Sequence, residues 1–553
     1  MKKLLISFFL LLLISSSSYS KNTEPVNNLP YSVIRDQVDL TGNNIGTWIW
    51  NTGVFNRDLR TVSAPGFSWP RLSGKFAIYA TGLCIGTYVN NALRLASVSY
   101  NGEYAPGYIS GGAGITNNTF KLYRVRAGDN SSTNPDYANW GLMVPYGAPY
   151  VDVNNNGSFE ISTDKPGIKN ASTTVFVCLT DAFPENHASN EGFSGGTAPV
   201  LAEMHMTAWD YITPSLEDVQ FFKMEVINKN DAPWTKTFFG VFCDPDLGES
   251  QDDYVGCDST KNFGFCYNAT PVDGSGTGTT YGENPPAVGF DLLKGAINRS
   301  VSPVLDINMS SFAYMTNPNS GGLSCEADPG SVPARAYNYL RGLKRDTTPY
   351  VNPLTMQITK YGYSGDPESA NGWTEYSGKL DNCGGATTGT LIESTPGDRK
   401  FVMGSGAGNL TVMPGEKQTF VIAQMIARGS NNRNAVTKLK KLDDSVQVFY
   451  NNNLFVDVKN TSSVIPDKFS LYQNYPNPFN PATKIKFDIN KSGFASLTIF
   501  DANGKEVRNL VNQTLNAGSY EYEFDAVALP SGIYFYQMKT SSFSETKKMI
   551  LIK

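Results

Sequence analysis

Histidine is almost absent from this chain of 553 residues, which has only two, and its seven cysteines include no Cys-x-x-Cys pair. Structural zinc sites use four Cys or His ligands at close spacing, so the sequence does not predict such a site. A Ser-His-Asp triad would have to use His187 or His205. His205 lies in a strand-like run and is interpreted as a sheet residue, so no catalytic residues are assigned.

Long apolar runs are also lacking beyond the first twenty residues. Lys2 and Lys3 precede the mostly apolar run 4–14, and Ser18-Tyr-Ser20 offers a small-x-small cleavage site. A helix of that length covers only about 16 Å, roughly half the hydrocarbon core of a bilayer. Residues 1–20 are therefore predicted to be a signal peptide, and we expect no transmembrane anchor.

Charged residues are few, at 17% of the chain, and between residues 21 and 467 the acidic ones outnumber the basic ones by 43 to 33. A net negative surface repels phosphate backbones and anionic lipids. Nucleic acid is therefore not an expected partner, whereas cation binding suits this charge balance.

Sustained helical periodicity is rare, whereas glycine, proline and aromatic residues are abundant. Short β-like runs such as 219–228 and 417–427 are separated by Gly, Pro and Asn turns. The pattern predicts a mainly β protein whose body, residues 21–457, is a multi-sheet β-sandwich. A break between two subdomains is expected near 150–175.

One segment departs from the β pattern just before the predicted linker at 458–467. Between residues 434 and 450, Val436, Leu439 and Val446 recur at helical spacing with charged residues between them. This spacing predicts one amphipathic helix packed on the last sheet of the body.

Two oxygen-rich segments are candidate calcium sites. In the first, residues 150–164, oxygen-bearing side chains alternate as in a calcium loop, but Thr163 stands where an EF-hand has glutamate. A calcium loop of another type is favoured, and an Asn/Gly turn held by its own side chains is the alternative. Its candidate ligands are Asp152, Asn154, Asn156, Ser158, Glu160 and Asp164.

The second segment, residues 243–258, concentrates six carboxylates, which repel one another unless cations or basic groups intervene. A calcium site is again favoured, with a solvated acidic loop as the alternative. A carboxylate pair that hydrolyses polysaccharide is a further alternative. The candidate calcium ligands are Asp244, Asp246, Asp252 and Asp253.

Cysteine usage fits an exported chain, in which disulfides are permitted. Cys243, Cys257 and Cys266 crowd the second acidic segment, and Cys325 with Cys383 is another candidate pair. An odd number of cysteines leaves at least one unpaired, and the sequence does not determine the connectivity.

The sequence pattern changes at Lys468. From there on, short runs of alternating apolar and polar residues are separated by turns, which predicts a small Ig-like β-sandwich over 468–553. Tyr475-Pro-Asn-Pro-Phe-Asn-Pro481, Pro530-Ser-Gly-Ile-Tyr-Phe535 and the basic pair Lys547-Lys548 lie in this tail. Together they closely resemble the type A C-terminal sorting domain of type IX secretion (Por secretion system) cargo.

This resemblance implies that the type IX machinery recognises residues 468–553 and carries the chain across the outer membrane. Sorting domains are usually removed there, and the body is released or linked to surface lipopolysaccharide or another surface polymer. We therefore expect a secreted protein or one on the outer face of the outer membrane.

The body also has a resemblance of its own. Trp48-Ile-Trp-Asn-Thr-Gly53, Asp244-Pro-Asp-Leu-Gly248 and Pro396-Gly-Asp-Arg399 are similar to segments of a family of large exported proteins that occur beside such sorting domains. The resemblance implies a surface role and supplies no catalytic residues. The favoured hypothesis is a calcium-stabilised structural or binding module, and the alternative is a secreted polysaccharide hydrolase.

Overall fold

The computed structural model describes residues 35–553 except 61–63, 155, 157, 188–192, 302–303, 318–321, 454–457, 463–464, 516 and 527–528. The predicted signal peptide at 1–20 lies outside the described residues. The protein is mainly β, as predicted. None of the helices within the described ranges is long and apolar enough to cross a membrane.

The largest element of the body is an antiparallel sheet, here called the large sheet. Its central strands are apolar on both faces, because one face meets a second sheet and the other is covered by a helix and loops. The sheet is continuous across 150–175, since Tyr123–Arg126 pairs with Thr173–Thr180. In spatial order its strands are Tyr123–Arg126, Thr173–Thr180, Ala202–Asp210, Val219–Asn228, Lys417–Arg428, Pro286–Lys294, Phe263–Asn268 and Asp253–Asp258, with Ala105–Pro106 beside Thr173–Thr180.

A second antiparallel sheet, the small sheet, packs face to face against the large one. The two sheets share one hydrophobic core, in which the rings of Phe239 and Phe420 lie 4.6 Å apart. This is the sandwich arrangement predicted for the body. In spatial order the strands of the small sheet are Ser311–Thr316, Arg399–Gly406, Thr235–Asp244, Ala80–Val89 and Ala92–Ala96.

The predicted amphipathic helix spans Asn432–Asn453 and covers the outer face of the large sheet. Val436, Leu439 and Val446 are fully buried, as their helical spacing indicated. The other helices in the described ranges are Pro333–Leu340 and the single turn Pro135–Ala138.

Short hairpins and 3₁₀ turns connect these elements. The hairpin pairs are Gln37–Leu40 with Thr47–Trp50, Arg57–Asp58 with Ala64–Pro65, Phe67–Ser68 with Phe76–Ile78, Tyr108–Ser110 with Ala113–Ile115, Tyr150–Val151 with Lys165–Pro166, Val272–Asp273 with Gly282–Glu283, Ala296–Asn298 with Leu305–Ile307, Tyr350–Asn352 with Gln357–Thr359 and Lys379–Asp381 with Thr390–Ile392. The 3₁₀ turns are Trp140–Leu142, Val144–Tyr146, Pro184–Asn186, Ser250–Asp252, Ser324–Glu326 and Glu375–Ser377.

The tail forms a separate small sandwich with its own core, which includes Ile485, Leu497 and Tyr536. Val458–Ser462, in the segment predicted as a linker, adds a strand to this sandwich by pairing with Gly518–Asp525. One sheet orders Val458–Ser462, Gly518–Asp525, Ala482–Ile489 and Ser470–Leu471, and the other orders Glu506–Leu515, Gly493–Phe500, Gly532–Thr540 and Ser544–Leu551.

Cys325 and Cys383 form a disulfide with their Cα atoms 5.5 Å apart. Cys243, Cys257 and Cys266 lie near one another in sequence but are buried and free. They occupy three strands of the two sheets, where their thiols pack as small apolar groups.

Candidate cation sites and the C-terminal domain

The first candidate calcium loop lies between the hairpin strands Tyr150–Val151 and Lys165–Pro166. Asp164 is buried at its base and accepts hydrogen bonds from the N–H groups of Val153 and Glu160, both at 2.9 Å. Both oxygens of Asp164 therefore hold the loop backbone, which makes this carboxylate a structural clamp.

The exposed part of this loop turns its side-chain oxygens inward. The N–H of Asn156 lies 3.1 Å from Oδ1 of both Asp152 and Asn154, and the N–H of Ser158 donates to Asn156 at 2.8 Å. Glu160 accepts from the Asn154 side-chain amide at 3.0 Å. These contacts are those of the Asn/Gly turn alternative, and they also bring Oδ1 of Asp152 and Oδ1 of Asn154 to the same backbone N–H.

The second acidic segment contributes to a more buried cluster. Asp244 ends the strand Thr235–Asp244, and Asp398 immediately precedes the adjacent strand Arg399–Gly406. One oxygen each of Asp244, Asp246 and Asp398 lies within 4.8 Å of the other two. Asp244 and Asp398 are buried and Asp246 is half-buried, so this cluster, the Asp244 cluster, opens to solvent beside Asp246.

One cation of the protein borders the Asp244 cluster. Lys400 is buried, and its Nζ lies 2.5 Å from Asp328. Burial lowers the pKa of Lys400, but the charges of Asp328, Asp244 and Asp398 outweigh burial and raise it. Lys400 thus offsets part of the negative charge in this region.

Further carboxylates lie behind the Asp244 cluster. Burial, together with the charge of Asp273, raises the pKa of Asp252 to about 7, although Asn268 donates to Asp252 at 2.6 Å. Burial and the charge of Asp252 raise the pKa of Asp253 well above its ordinary value. Ionising all of these groups together is therefore costly without a counter-ion.

A glycine permits this close packing of carboxylates. Gly248 has a φ of +70°, and a Cβ atom there would lie 1.9 Å from an oxygen of Asp273. A side chain at position 248 would therefore displace Asp273.

Asp398 and Asp273 are members of these clusters that sequence reasoning missed. Asp398 lies in the Pro396-Gly-Asp-Arg399 segment, so its motif was a usable signal, but nothing in the sequence linked it to Asp244. Asp258, in contrast, lies at the other end of its strand and pairs with Lys440 at 3.2 Å.

Several other aromatic, histidine and serine side chains have structural roles. Trp50 is buried in the core, and Trp48 stacks under the Arg60 guanidinium, 4.1 Å from the ring centroid, so neither is a free sugar platform. His187 is buried, and its Nε2 lies 2.8 Å from the carbonyl oxygen of Asp181. Ser194 has Gly-x-Ser-x-Gly spacing and a φ of +61°, but it is buried and no helix follows it.

The motif segments of the tail meet on the final strand, Ser544–Leu551. Phe479 is buried, and its N–H donates to the carbonyl oxygen of Ile550 at 2.9 Å. Asn477 accepts from the N–H of Ile550 at 2.9 Å. The Gly532–Thr540 strand pairs along the other edge, where Tyr536 lies opposite Lys547. Segments 70 residues apart thus form one continuous structural unit.

Comparison with known proteins identifies this unit. Residues 473–553 match the family model of the secretion system C-terminal sorting domain. A search of curated proteins finds no match to the chain.

Similarity to solved structures is slight. A polysaccharide lyase aligns at 9% identity and a TM-score of 0.18, over 63% of this chain and 34% of the lyase. PorZ of Porphyromonas gingivalis, a surface component of the type IX secretion system, aligns at 12% identity and a TM-score of 0.13, over 63% of this chain and 58% of PorZ. Scores this low carry no argument about the body.

The sorting domain, by contrast, agrees in sequence motifs, fold and family match. With that domain at residues 473–553, the chain is cargo of the type IX secretion system and is a secreted or cell-surface protein.

Proposed function

We propose that the body is a structural or binding module presented outside the cell and stabilised by calcium. Under this proposal Asp244 and Asp246, with Asp398, hold one ion, and the nearby carboxyl groups of Asp252 and Asp253 ionise more readily when that ion is bound. The loop that carries Asp152, Asn154, Asn156, Ser158, Glu160 and Asp164 holds a second ion.

The Asp244 cluster is the observation that carries the proposal. Three carboxylate oxygens lie within 4.8 Å of one another, and two of the three residues are buried. The donor set consists of oxygens only, which suits a hard divalent cation such as Ca²⁺. A bound cation would reduce the repulsion among these carboxylates.

Thermal unfolding with and without calcium tests this proposal. If Ca²⁺ binds the folded state alone, saturation at about 100 times the Kd stabilises it by about 2.7 kcal/mol, which raises the melting temperature by several degrees. We expect Asp246→Asn to abolish most of this shift, because Asp246 supplies the solvent-facing oxygen of the cluster.

Matched variants separate the two sites. Asp231→Asn removes an exposed carboxylate outside both sites and is expected to keep the full calcium shift. Asp152→Asn tests the loop separately, since it changes a half-buried ligand without touching the Asp244 cluster. No calcium shift in the unchanged chain, or an equal loss in Asp231→Asn, would contradict the proposal.

The hydrolase alternative is tested on the same variants. A carboxyl group with a pKa of about 7, such as Asp252, is protonated often enough near neutral pH to serve as a general acid. Turnover on polysaccharide substrates that is lost in Asp252→Asn, with folding intact, would favour a hydrolase over a binding module.

The site of presentation is tested by terminal-peptide mass spectrometry on surface and medium fractions. We propose that the body is held on the outer face of the outer membrane, linked to lipopolysaccharide or another surface polymer. A body that starts at Lys21 and lacks residues 468–553 is expected in the surface fraction. A body found only in the medium would contradict anchoring, and an intact tail in the periplasm would contradict export.

A further inference from the structure

Three metal-binding side chains of different types meet on the outer face of the large sheet. Cys178 lies on the strand Thr173–Thr180, and Glu203 and His205 lie on its neighbour Ala202–Asp210. Cys178 and His205 are directly opposite in the antiparallel register, so both side chains point to the same face. A sulfur, a ring nitrogen and a carboxylate oxygen lie within 4.8 Å of one another.

The three side chains are buried and held in place. The exposed fractions are 1% for Cys178, 3% for Glu203 and 9% for His205. The Cys178 thiol donates to the carbonyl oxygen of Gly107 at 3.1 Å, and His205 Nε2 lies 3.0 Å from Glu203 Oε1. The second Glu203 oxygen accepts from the N–H of Ile109 at 2.9 Å. Their positions are thus set by the sheet and the hairpin beside it.

Glu203 supplies a carboxylate oxygen to the cluster, and a carboxylate is a ligand that Zn²⁺ accepts. Lys229 lies 3.5 Å from Glu203, at the half-buried edge of the cluster.

A neighbouring tyrosine can supply a fourth ligand. The half-buried Tyr146 lies close enough to interact electrostatically with Cys178 and Glu203. Its hydroxyl or a water molecule can complete a four-ligand shell.

Neighbouring Glu225 is not part of this shell. It lies opposite His205 on the next strand, but its oxygens are 2.9 Å from Lys417 and 3.3 Å from Lys223. Glu225 is thus paired with two lysines of the large sheet.

A cysteine beside a histidine can also act as a nucleophile, but this thiol is buried. Cys178 is 1% exposed and its thiol donates to the carbonyl oxygen of Gly107, whereas a nucleophilic cysteine needs access from solvent.

We propose that Cys178, Glu203 and His205 form a site for a divalent transition metal of the zinc class. A thiolate, an imidazole and a carboxylate are the three ligand types that Zn²⁺ accepts, whereas Ca²⁺ takes oxygen ligands only. Metal binding would displace the thiol proton to solvent and join the two strands and the Tyr146 turn through one ion.

Cobalt substitution tests the site in the full chain, purified without a histidine tag and stripped of metal. Co²⁺ bound to a thiolate shows an intense near-ultraviolet charge-transfer band that oxygen or nitrogen ligands alone do not produce. We expect this band at one Co²⁺ per chain, and its loss on addition of Zn²⁺.

Two serine variants make the test specific. Cys178→Ser removes the proposed ligand, and Cys257→Ser changes another buried free cysteine whose thiol donates to a backbone carbonyl, that of Gly362 at 3.5 Å. We expect Cys178→Ser to lose the band and to weaken zinc binding by at least about 10- to 100-fold. A loss of that size is typical when a residue that only hydrogen-bonds to a ligand is replaced, so loss of a ligand itself should cost at least as much. Cys257→Ser should retain both.

His205→Gln provides the second ligand test, and the other histidine provides its control. The band should weaken in His205→Gln and persist in His187→Gln, because His187 lies beside Glu103 and Asp181 and is not one of the three proposed ligands. A metal-free spectrum in the unchanged chain, or an equal band in Cys178→Ser, would overturn the proposal. Melting curves of the apo variants establish that each one is folded.

Discussion

A pair of buried carboxyl groups under the long helix should make the stability of this protein fall as pH rises. Asp291 lies on the strand Pro286–Lys294 and is fully buried, and Asp443 lies on the helix Asn432–Asn453 and is 2% exposed. The two carboxyl groups lie close enough for the charge of one to affect the pKa of the other. Lys261 lies 3.7 Å from Asp443 and is bound more closely by Asp444.

Two negative charges cannot share this space, so the pair retains a proton. Burial first, and then the charge of Asp443, raises the pKa of Asp291 well above its ordinary value, and burial also raises the pKa of Asp443. The folded state therefore binds more protons than the unfolded state above about pH 4. The contribution of the pair to the free energy of unfolding is therefore at its maximum below that pH. As the pH rises towards the pKa of the pair in the folded state, this contribution falls by about 1.4 kcal/mol per pH unit for one group.

Asp291→Asn removes this dependence, because the amide stays neutral and can donate to Asp443. Over two pH units within that window the unchanged chain should lose about 2.7 kcal/mol relative to the variant. Urea unfolding of both chains between about pH 4 and 7 measures the difference. We expect nearly equal stability at the acidic end and a more stable variant at the alkaline end.

Asp444→Asn is the matched control, because this neighbour on the helix is 63% exposed and binds the same lysine. Its pH profile should run parallel to that of the unchanged chain. If Asp291→Asn also ran parallel, the pair would not hold a shared proton and the reasoning would be refuted.

Three further predictions concern the disulfide, a buried charge and the tail. Cys325 and Cys383 are separated by 58 residues, and replacing both by serine should lower the free energy of unfolding by about 4 kcal/mol. The urea midpoint should fall, and reductant should lower the midpoint of the unchanged chain to the same extent. Glu326→Gln should cost about 3–5 kcal/mol in the same assay, because fully buried Glu326 neutralises two buried lysines; an effect under 1 kcal/mol would contradict this ion-pair role. Deletion of 468–553 should leave the chain in the periplasm, as judged by cell fractionation, and secretion of the shortened chain would contradict the role of the tail.

Features that depend on neighbours along the chain were predictable from the sequence. The tail motifs are contiguous runs of residues, so their resemblance to a sorting domain could be recognised from the sequence. The family match of residues 473–553 confirms this prediction. Alternation of period two indicated strands, and the spacing of Val436, Leu439 and Val446 indicated a helix that the structure places at Asn432–Asn453. Both periodicities are local properties of backbone geometry.

Features that depend on strand pairing were decided only by the tertiary structure. Period two shows which residues share a face, but not which strand lies next to which. Asp398 joins Asp244 because two strands more than 150 residues apart are neighbours in the small sheet. Asp258 separates from Asp253 because it sits at the opposite end of one strand.

The same reason explains the zinc-class site, which the sequence did not predict. The sequence has only two histidines and no closely spaced cysteines, so it did not indicate such a site. Close spacing identifies only those sites whose ligands come from one short segment. Here the antiparallel register sets Cys178 opposite His205, 27 positions later in the chain. The sequence by itself determined the export route and the β character, and strand register alone brought the candidate ligands together.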